Sequence, residues 1–335
     1  MDARNLLSES IVIDSHLDLL YDVLQKHRQG RRQVILNDYL ADWRAGNVSC
    51  IVSSLYCDED SDYLAEALQQ IAAWEDELAE SDGEFFLATC GEDIRRAHAN
   101  GQVAVMLAFE GVEPLVGEPK FLRLFHQLGV RIIGLCWSRS NWAADGSRFG
   151  DPDHMGHGLT QGGKQLLALA RELRMPIDIS HLNDLGFWQI LHGERQPLLA
   201  SHSNCRAISD SPRNLDDRQI AAIATNGGVI GINGVSLIAN MQDPASADLQ
   251  TLVRHMRHIK SVAGASCICL GLDQCHRING ALPDIEPENM FDIIPYYAQL
   301  TDLVEALLQA DFTEEEIRGV LGGNFLRMIE AAIGC

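Results

Sequence analysis

Short apolar runs rich in β-branched residues alternate with amphipathic stretches along the whole chain, a pattern typical of parallel βαβ units. About eight such runs are present, the number of strands in a closed (β/α)8 barrel. The predicted strands are residues 11–18, 48–56, 103–110, 130–137, 175–181, 197–202, 228–234 and 267–273. The pattern therefore predicts an α/β protein with the (β/α)8 TIM barrel fold.

The amphipathic stretches predict helices between the strands, at residues 63–79, 121–128, 162–173, 184–191, 216–225 and 249–262. Two more follow the last strand, at 296–308 and 313–332, so the barrel has an extra C-terminal helix. That helix begins with a Thr-x-x-Glu capping box formed by Thr313 and Glu316. No internal repeat or Pro/Ser-rich linker divides the chain, and residues 1–335 are expected to form a single domain.

The composition is that of a globular protein with an acidic surface. Hydrophobic residues make up 46% of the chain and charged residues 22%, which excludes a disordered protein. The 26 basic and 47 acidic residues give a net charge of -21, which repels nucleic acid and anionic lipid. No secretory signal or membrane-spanning apolar run is present, so we expect a cytoplasmic protein. The nine cysteines include no Cys-x-x-Cys pair, which favours free thiols.

Side chains that bind metals or transfer protons fall at the C-terminal ends of the predicted strands, where barrel enzymes carry their active sites. One His or Asp at such a position is as often a packing or helix-capping residue. Three histidines and three carboxylates on one face of the barrel are harder to explain structurally, and together they predict a site. The six residues are His16, Asp18, Glu110, His181, His202 and Asp273.

The spacing of these residues favours a centre with two metal ions. His16 and Asp18 lie two apart on one strand and point to the same side, so both can bind one ion. His181 and His202 can bind a second ion, and the two oxygens of Glu110 can bridge the pair. Mixed nitrogen and oxygen ligands suit divalent ions such as zinc. Two such ions can hold a hydroxide and polarise a carbonyl while a nearby carboxylate transfers protons, a hydrolytic chemistry.

Seven motifs occur in the same order as in the renal (membrane) dipeptidase family of the metal-dependent amidohydrolase superfamily, which the chain resembles over nearly its whole length. The resemblance is to a bacterial-type cytoplasmic member. The motifs are Ile-Asp-Ser-His-Leu-Asp at 13–18, Phe-Glu-Gly at 109–111, Asp-Ile-Ser-His-Leu at 178–182, Ala-Ser-His-Ser-Asn at 200–204, Pro-Arg-Asn-Leu-Asp-Asp at 212–217, Gly-Gly-Val-Ile-Gly-Ile-Asn at 227–233 and Leu-Gly-Gly-Asn-Phe-Leu-Arg at 321–327.

The resemblance implies a role for each matching residue. It assigns His16 and Asp18 to one zinc ion, His181 and His202 to the other, Glu110 to both as the bridge, and Asp273 to acid/base catalysis. It also implies a homodimer and adds Arg213, which would bind the terminal carboxylate of the substrate through its guanidinium. The alternative for Arg213 is a surface salt bridge to Asp216 or Asp217.

Two departures from the family pattern predict an altered substrate pocket. The fourth strand ends at Trp137 where the family has a histidine that contacts the substrate, and an indole cannot take the charge of an imidazole. His154 and His157 in the next loop are candidates for that contact, unless they are solvated. Asp273 is followed by Gln-Cys-His-Arg instead of Phe-Asp-Gly. Trp137 and Asn141 are expected to contact the substrate.

We therefore expect a zinc metallodipeptidase that cleaves a dipeptide, including one with a D-residue at its C-terminus, through attack by a metal-bridged hydroxide. A non-peptide amide, lactam or ester bearing a carboxylate is a second hypothesis, which Trp137 motivates. A binding homologue without catalysis is a third, and the complete set of ligands disfavours it. The substrate is a small molecule, and nucleic acid and membranes are not expected partners. The remaining histidines, including His255 and His258, are expected on the surface.

Overall fold

All strands are parallel and close into a barrel in the computed structural model of the protein, which describes residues 2–59, 61–147, 156–193, 196–278 and 290–334. Neighbouring strands follow the order β2-β1-β9-β8-β7-β6-β5-β4, and β4 pairs with β2 to complete the ring of eight. This ring confirms the predicted (β/α)8 fold. The strands are β1 (Val12–Leu17), β2 (Val48–Leu55), β3 (Phe85–Leu87), β4 (Val103–Glu110), β5 (Val130–Gly134), β6 (Ile177–Asp178), β7 (Leu198–Ala200), β8 (Val229–Ile232) and β9 (Ile268–Leu270).

The sequence did not predict β3, which lies outside the ring. It pairs with the first residues of β4, from Val103 to Val105, whereas β5 pairs with β4 from Leu107 onwards. Because β2 occupies the other edge of β4, β3 and β5 share one edge of that strand. A run of three apolar residues is too short for its periodicity to indicate a strand.

Several strands are shorter than predicted at the end that faces the candidate site, and three of them precede predicted site residues. β6 ends at Asp178, β7 at Ala200 and β9 at Leu270, so His181, His202 and Asp273 lie on turns just beyond them. The backbone φ angles of His181 and Asp273 are 68° and 56°. A left-handed backbone cannot continue a strand, and it costs energy for a residue other than glycine. These two turns fix the directions of both side chains.

Helices surround the barrel, and most of them lie where the amphipathic pattern predicts. The capping box of Thr313 and Glu316 is confirmed. The predicted helix 313–332 is divided by a π-helical turn, Gly319–Gly323. The helices are α1 (Ala3–Ser8), α2 (Leu19–Arg28), α3 (Leu40–Ala45), α4 (Tyr63–Ala79), α5 (Gly91–Asn100), α6 (Phe121–Gln127), α7 (Gln161–Glu172), α8 (Asp184–Gly193), α9 (Asp217–Thr225), α10 (Ser236–Ala239), α11 (Leu249–Ala263), α12 (Leu300–Gln309), α13 (Glu314–Arg318) and α14 (Asn324–Ala332).

Alternate residues of the strands enter two separate hydrophobic clusters. Val105, Leu107 and Phe109 of β4 pack in the cluster that includes the surrounding helices. Ala104 and Met106 pack in the inner cluster with residues from other strands. Side chains alternate between the two faces of a strand, so the inner cluster fills the barrel and the outer one lies between barrel and helices. Both faces are therefore buried, which explains the continuous apolar runs in the sequence.

The C-terminal helix α14 closes the end of the barrel opposite the candidate site. Phe325, Met328 and Ile329 of α14 belong to the inner cluster. Just before α14, Gly322 lies so close to the start of β1 that an added Cβ would be 2.5 Å from the carbonyl oxygen of Ile11. The N-terminal ends of the strands are thus covered by this helix, and chemistry is confined to the C-terminal ends.

His255 is buried, and its expected position on the surface is wrong. Its side chain is 0% exposed on α11. Its Nδ1 accepts a hydrogen bond from the backbone N–H of Cys205, and its Nε2 lies 2.8 Å from the carbonyl oxygen of Ala239. The imidazole therefore links α11 to the segment after β7 and to α10. His258 is partly exposed and contacts Asp217.

The burial of His255 predicts a loss of stability in mild acid. Burial lowers the pKa of His255 from its ordinary value of 6.5 to about 4. The unfolded chain therefore binds this proton first, and the stabilising contribution is complete above pH 6.5 and is lost as the pH falls towards 4. We expect this group to lower the free energy of unfolding by about 3 kcal/mol between pH 7 and pH 4. Urea unfolding of the metal-free protein at a series of pH values measures it.

The variant His255→Gln should be less stable at pH 7 and should show a flatter pH dependence between 6.5 and 4. His258→Gln, on the same helix, is the control and should keep the dependence of the wild type. Equal pH dependence of His255→Gln and the wild type would contradict the assignment to His255.

Two other expectations concern the membrane and the cysteines. Among the described residues, no helix has the length and apolar character needed to cross a bilayer.

Of the cysteines that the structure describes, seven are free thiols, and six of these are buried. Cys90 is disulfide-bonded, so the expectation of free thiols is wrong there. The spacing of the cysteines in the sequence carries no signal for this bond.

Candidate metal centre

Three imidazoles surround one carboxylate oxygen at the mouth of the barrel. Oε1 of Glu110 lies 3.5 Å from Nε2 of His16, 2.9 Å from Nε2 of His181 and 3.6 Å from Nε2 of His202. The Nε2 atoms of His181 and His202 are 2.7 Å apart. The ends of β1, β4, β6 and β7 thus direct four side chains to one point.

Two further carboxylates lie close to Nε2 of His16. Oδ1 of Asp18 is 3.9 Å and Oδ1 of Asp273 is 3.8 Å from Nε2 of His16. Donor atoms of two sets, His16 with Glu110 and His202, and His16 with Asp18 and Asp273, lie within 4.8 Å of one another. The structure therefore brings all six predicted residues together. Their individual roles remain predictions.

Two buried aspartates that the sequence analysis did not assign hold the backbone next to the candidate ligands. Asp14 accepts hydrogen bonds from the backbone N–H groups of His16 and Leu272 and from the hydroxyl of Tyr297. Its burial raises its pKa to about 6. Asp178 accepts from the backbone N–H groups of Ser180 and Ser201. The signal in the sequence is an Asp two or three residues before a His.

The hydrogen bonds of His202 determine which of its nitrogens faces the site. The hydroxyl of Ser201 donates to Asp178, and its oxygen lies 2.7 Å from Nδ1 of His202. A hydroxyl has one proton, so Nδ1 must be the donor in the second contact. The lone pair of His202 is then on Nε2, which faces His181 and Glu110, as a metal ligand requires. Ser138 lies 2.8 Å from Nδ1 of His181.

Two glycines allow the residues beneath the centre to approach one another. A Cβ added to Gly231 would lie 1.9 Å from the carbonyl oxygen of Ser201, and one added to Gly271 would lie 1.8 Å from the same oxygen. The hydroxyl of Ser15, next to His16, is 2.6 Å from that oxygen. Any larger residue at either glycine would displace the strands that hold His16 and His202.

Burial shifts the pKa values of the cluster towards the neutral forms. Desolvation lowers the pKa of His16, His181 and His202 below the ordinary value for histidine. Desolvation, followed by the charge of Asp18, raises the pKa of Glu110 and of Asp273 well above the ordinary carboxyl values. The neutral imidazole is the form of histidine that binds a metal. Adjacent buried carboxyl groups can both be ionised only when a cation lies between or beside them.

The donors of the cluster fit divalent metal ions. Among the residues that the structure describes, Nε2 of His16 and Oε2 of Glu110 are buried polar atoms without a hydrogen-bond partner. Both belong to the cluster, and an ion would satisfy both. The mixture of imidazoles and carboxylates suits zinc and similar ions better than calcium, which prefers oxygen ligands.

Arg213 lies buried beside the centre, on the segment between β7 and α9. It is 3% exposed, and its Nη2 donates to the carbonyl oxygen of His202 at 3.2 Å. In the described part of the chain, its Nε has no hydrogen-bond partner and no carboxylate forms an ion pair with it. The alternative of a surface salt bridge is wrong, because Asp216 pairs with Arg218 and Asp217 with His258.

A hydrogen bond holds the carboxylate of Asp273 at the edge of the cluster. Nδ2 of Asn233, which follows β8, donates to Oδ2 of Asp273 at 2.9 Å. Oδ1 of Asp273 is left facing His16, and the side chain is 20% exposed. The sequence analysis did not assign Asn233, although it ends one of the seven motifs. The arrangement leaves one oxygen of Asp273 available for proton transfer.

The two residues predicted to contact the substrate differ in position. Trp137 is half-buried, and its indole stacks on the imidazole of His181 with ring centroids 5.5 Å apart. Asn141 bonds through Nδ2 to the carbonyl oxygen of Leu135 and through Oδ1 to two backbone N–H groups of its own loop. The structure thus gives Asn141 a loop-forming role, and its contact with substrate remains a prediction. His157 is exposed, and His154 lies outside the described residues.

Comparison with known proteins identifies the family. The model of the membrane dipeptidase family (Peptidase family M19) matches residues 1–333. An uncharacterized protein of the pqqA 5' region of Klebsiella pneumoniae is 33% identical over 268 residues, which cover 78% of this chain and 94% of that protein. Dipeptidase 3 of Macaca fascicularis is 28% identical over 345 residues, 98% of this chain and 67% of that protein.

Solved structures of metallopeptidases share the fold. The crystal structure of dipeptidase AC has a TM-score of 0.87 and 26% identity, and the match covers 97% of this chain and 99% of that one. A metallopeptidase from Rhodobacter sphaeroides, liganded with a phosphinate mimic of L-Ala-D-Ala, has a TM-score of 0.86 and 25% identity, with 96% and 99% covered. The chain therefore belongs to the membrane dipeptidase family and is a metallopeptidase with a (β/α)8 barrel.

Proposed function

We propose that the protein hydrolyses dipeptides, including those with a D-residue at the C-terminus, at a centre of two zinc ions. The observation that carries this proposal is the buried guanidinium of Arg213 beside a cluster of metal-type ligands. A buried cation without an ion pair in the described part of the chain is costly unless an anion binds to it. The terminal carboxylate of a dipeptide supplies that anion.

The six clustered residues have distinct proposed roles. His16 and Asp18 would hold one ion, His181 and His202 the other, and Glu110 would bridge them. When bound, the ions would polarise the scissile carbonyl and activate the water that attacks it. Asp273 accepts the proton of that water and passes it to the leaving amine, and Asn233 keeps the carboxylate in position.

The ligand of the Rhodobacter sphaeroides relative supports the choice of substrate. That protein binds a phosphinate mimic of a dipeptide whose second residue is D-alanine. The test is a panel of dipeptides with L- or D-residues at the C-terminus, assayed with zinc-loaded protein and with protein treated with a chelator. We expect turnover of at least one member with zinc and none after chelation. No turnover of any member would reject the peptidase proposal.

Replacing Arg213 tests its contact with the carboxylate. The variant Arg213→Met keeps the aliphatic stem and removes the charge, so kcat/KM for a free dipeptide should fall about 100-fold. For the same dipeptide with an amidated C-terminus, wild type and variant should be equally slow, because neither can form the ion pair. Steady-state kinetics of the two proteins with the two substrates measure the coupling between Arg213 and the terminal carboxylate. A variant that slows both substrates equally would show that Arg213 acts on something other than the carboxylate.

A second candidate function keeps the metal centre and changes the substrate to an N-acyl amino acid, a lactam or an ester with a carboxylate. Trp137 favours this alternative, because it replaces a histidine of the family pattern with an apolar ring beside His181. Turnover of such compounds without turnover of dipeptides would select it. The homodimer, the single domain spanning residues 1–335 and the cytoplasmic location also belong to this proposal.

A further inference from the structure

Three aromatic rings line one side of the barrel mouth and form what we call the aromatic wall: Tyr21, Tyr56 and Trp137. All three side chains are half-buried. The indole of Trp137 stacks on His181, the rings of Tyr56 and Trp137 are 5.9 Å apart, and those of Tyr21 and Tyr56 are 5.6 Å apart. The wall is therefore a chain of ring contacts that begins at a candidate metal ligand.

Arg139 fixes the aromatic wall in place. Its guanidinium carbon is 5.6 Å from the centre of the Trp137 ring and 5.7 Å from that of Tyr56. Its Nε donates to Glu113 at 3.1 Å and its Nη2 donates to the carbonyl oxygen of Cys57 at 2.8 Å. Because Glu113 pairs with the guanidinium, Arg139 adds no net charge to the ring faces of Trp137 and Tyr56. The only carboxylate bonded to a ring of the wall in the described part of the chain is Asp58, which accepts from the hydroxyl of Tyr21.

The order of the strands places Tyr56 and Trp137 opposite the residues proposed to act on the C-terminal half of the substrate, whereas Tyr21 follows β1. Tyr56 and Trp137 follow β2 and β5, which flank β4 and its Glu110. Arg213 follows β7 and Asp273 follows β9, which flank β8. In the ring of eight strands, β4 and β8 are diametrically opposite. The metal ligands lie between the two sides.

The chemistry of hydrolysis then fixes the orientation of a dipeptide. The leaving amine and the terminal carboxylate both belong to the C-terminal residue, so Asp273 and Arg213 both act on that residue. With the scissile carbonyl at the centre, the N-terminal residue must extend to the opposite side, where the aromatic wall lies.

We propose that the aromatic wall binds the side chain of the N-terminal residue of the substrate and makes the protein prefer a large apolar or aromatic residue there. This inference rests on the dipeptidase function proposed above and adds its substrate class. Trp137 is then the principal specificity residue, because its ring stacks on His181, a candidate metal ligand. Contact between a phenyl ring and the wall should favour Phe over Ala by about tenfold in kcat/KM.

The test compares two dipeptides, one with Phe and one with Ala at the N-terminus, joined to the same C-terminal residue. We expect the wild type to prefer the Phe substrate about tenfold and Trp137→Ala to reduce the preference to about twofold, mainly through KM. Trp137→Leu, which restores apolar surface, should lie between them. Trp188→Ala is the matched control, because Trp188 is a half-buried Trp that packs on Phe187 of α8, and it should keep the wild-type preference.

Two results would overturn the inference: an unchanged preference in both Trp137 variants, or a wild type that prefers Ala. Cleavage of neither dipeptide, together with no turnover of the dipeptide panel, would instead reject the proposed function. In that case, calorimetric affinities of phosphinate analogues of the same two dipeptides test the wall without turnover, with the same expected ratios. Melting temperatures of the variants show whether each is folded.

Discussion

Replacing Asp273 with Asn should lower kcat about 1000-fold while the bound metal and KM stay close to their wild-type values. Asparagine has the shape of aspartate and can still accept the hydrogen bond from Asn233, so the turn after β9 is retained. It cannot take up the proton of the attacking water. The measurement is steady-state kinetics together with elemental analysis of the purified variant.

The leaving group provides a second measurement on the same variant. An ester analogue of the dipeptide expels an alcohol, which needs less help from an acid than an amine does, so Asp273→Asn should slow the ester less than the amide. Asp217→Asn, a change to a surface carboxylate that contacts His258, is the control and should leave both rates unchanged. Loss of metal together with activity would show that Asp273 is a ligand rather than a proton carrier.

The fold was predictable because its signals are local and repeated. Both faces of each barrel strand are buried, so strands such as β4 are continuous apolar runs with polar boundaries. The predicted bounds of β4 and α4 agree with the structure. α2 and α5 were missed for different reasons: α2 begins directly after β1 and its Asp18 without a turn, and α5 has only Ile94 and Ala97 as buried apolar side chains.

The candidate site was predictable as a set of residues but not in its internal arrangement. A strand end places a side chain at the mouth of the barrel, which is enough to collect His16, Glu110 and His202. The left-handed turns at His181 and Asp273 have no signal in the sequence, because neither residue is a glycine. Long-range hydrogen bonds, such as the one from Tyr297 to Asp14, join residues far apart in the chain and cannot be inferred from spacing.

The same distinction explains the error at His255 and the contacts of Asn141 and Trp137 that the sequence does not show. His255 lies on a polar-looking face of α11, and only the fold shows that the segment after β7 covers that face. Asn141 resembles a family position near the substrate pocket, and only the fold shows that its amide forms hydrogen bonds within its own loop. The role of Trp137 depends on Tyr56 and Arg139, which reach it from the ends of other strands.

Replacing Glu110 with Gln should separate stability from metal binding. In the metal-free protein the Glu110 carboxyl is buried, and desolvation raises its pKa well above the ordinary value. A neutral amide of the same shape removes that cost, so metal-free Glu110→Gln should be at least as stable to heat as the metal-free wild type. The variant has lost the charge that would bridge two ions. We expect its zinc content to fall from about two ions per chain to below one, and its activity to fall more than about 1000-fold.

Thermal unfolding with and without zinc, together with elemental analysis, distinguishes the two effects. Zinc should raise the melting temperature of the wild type, because it binds only the folded state, and should raise that of Glu110→Gln much less. Glu113→Gln is the matched control: Glu113 is a buried carboxylate three residues away, but it pairs with Arg139 and does not contact the metal cluster. It should keep the zinc content and the zinc-dependent increase in melting temperature. A Glu110→Gln protein that retains two ions would remove Glu110 from the bridging position.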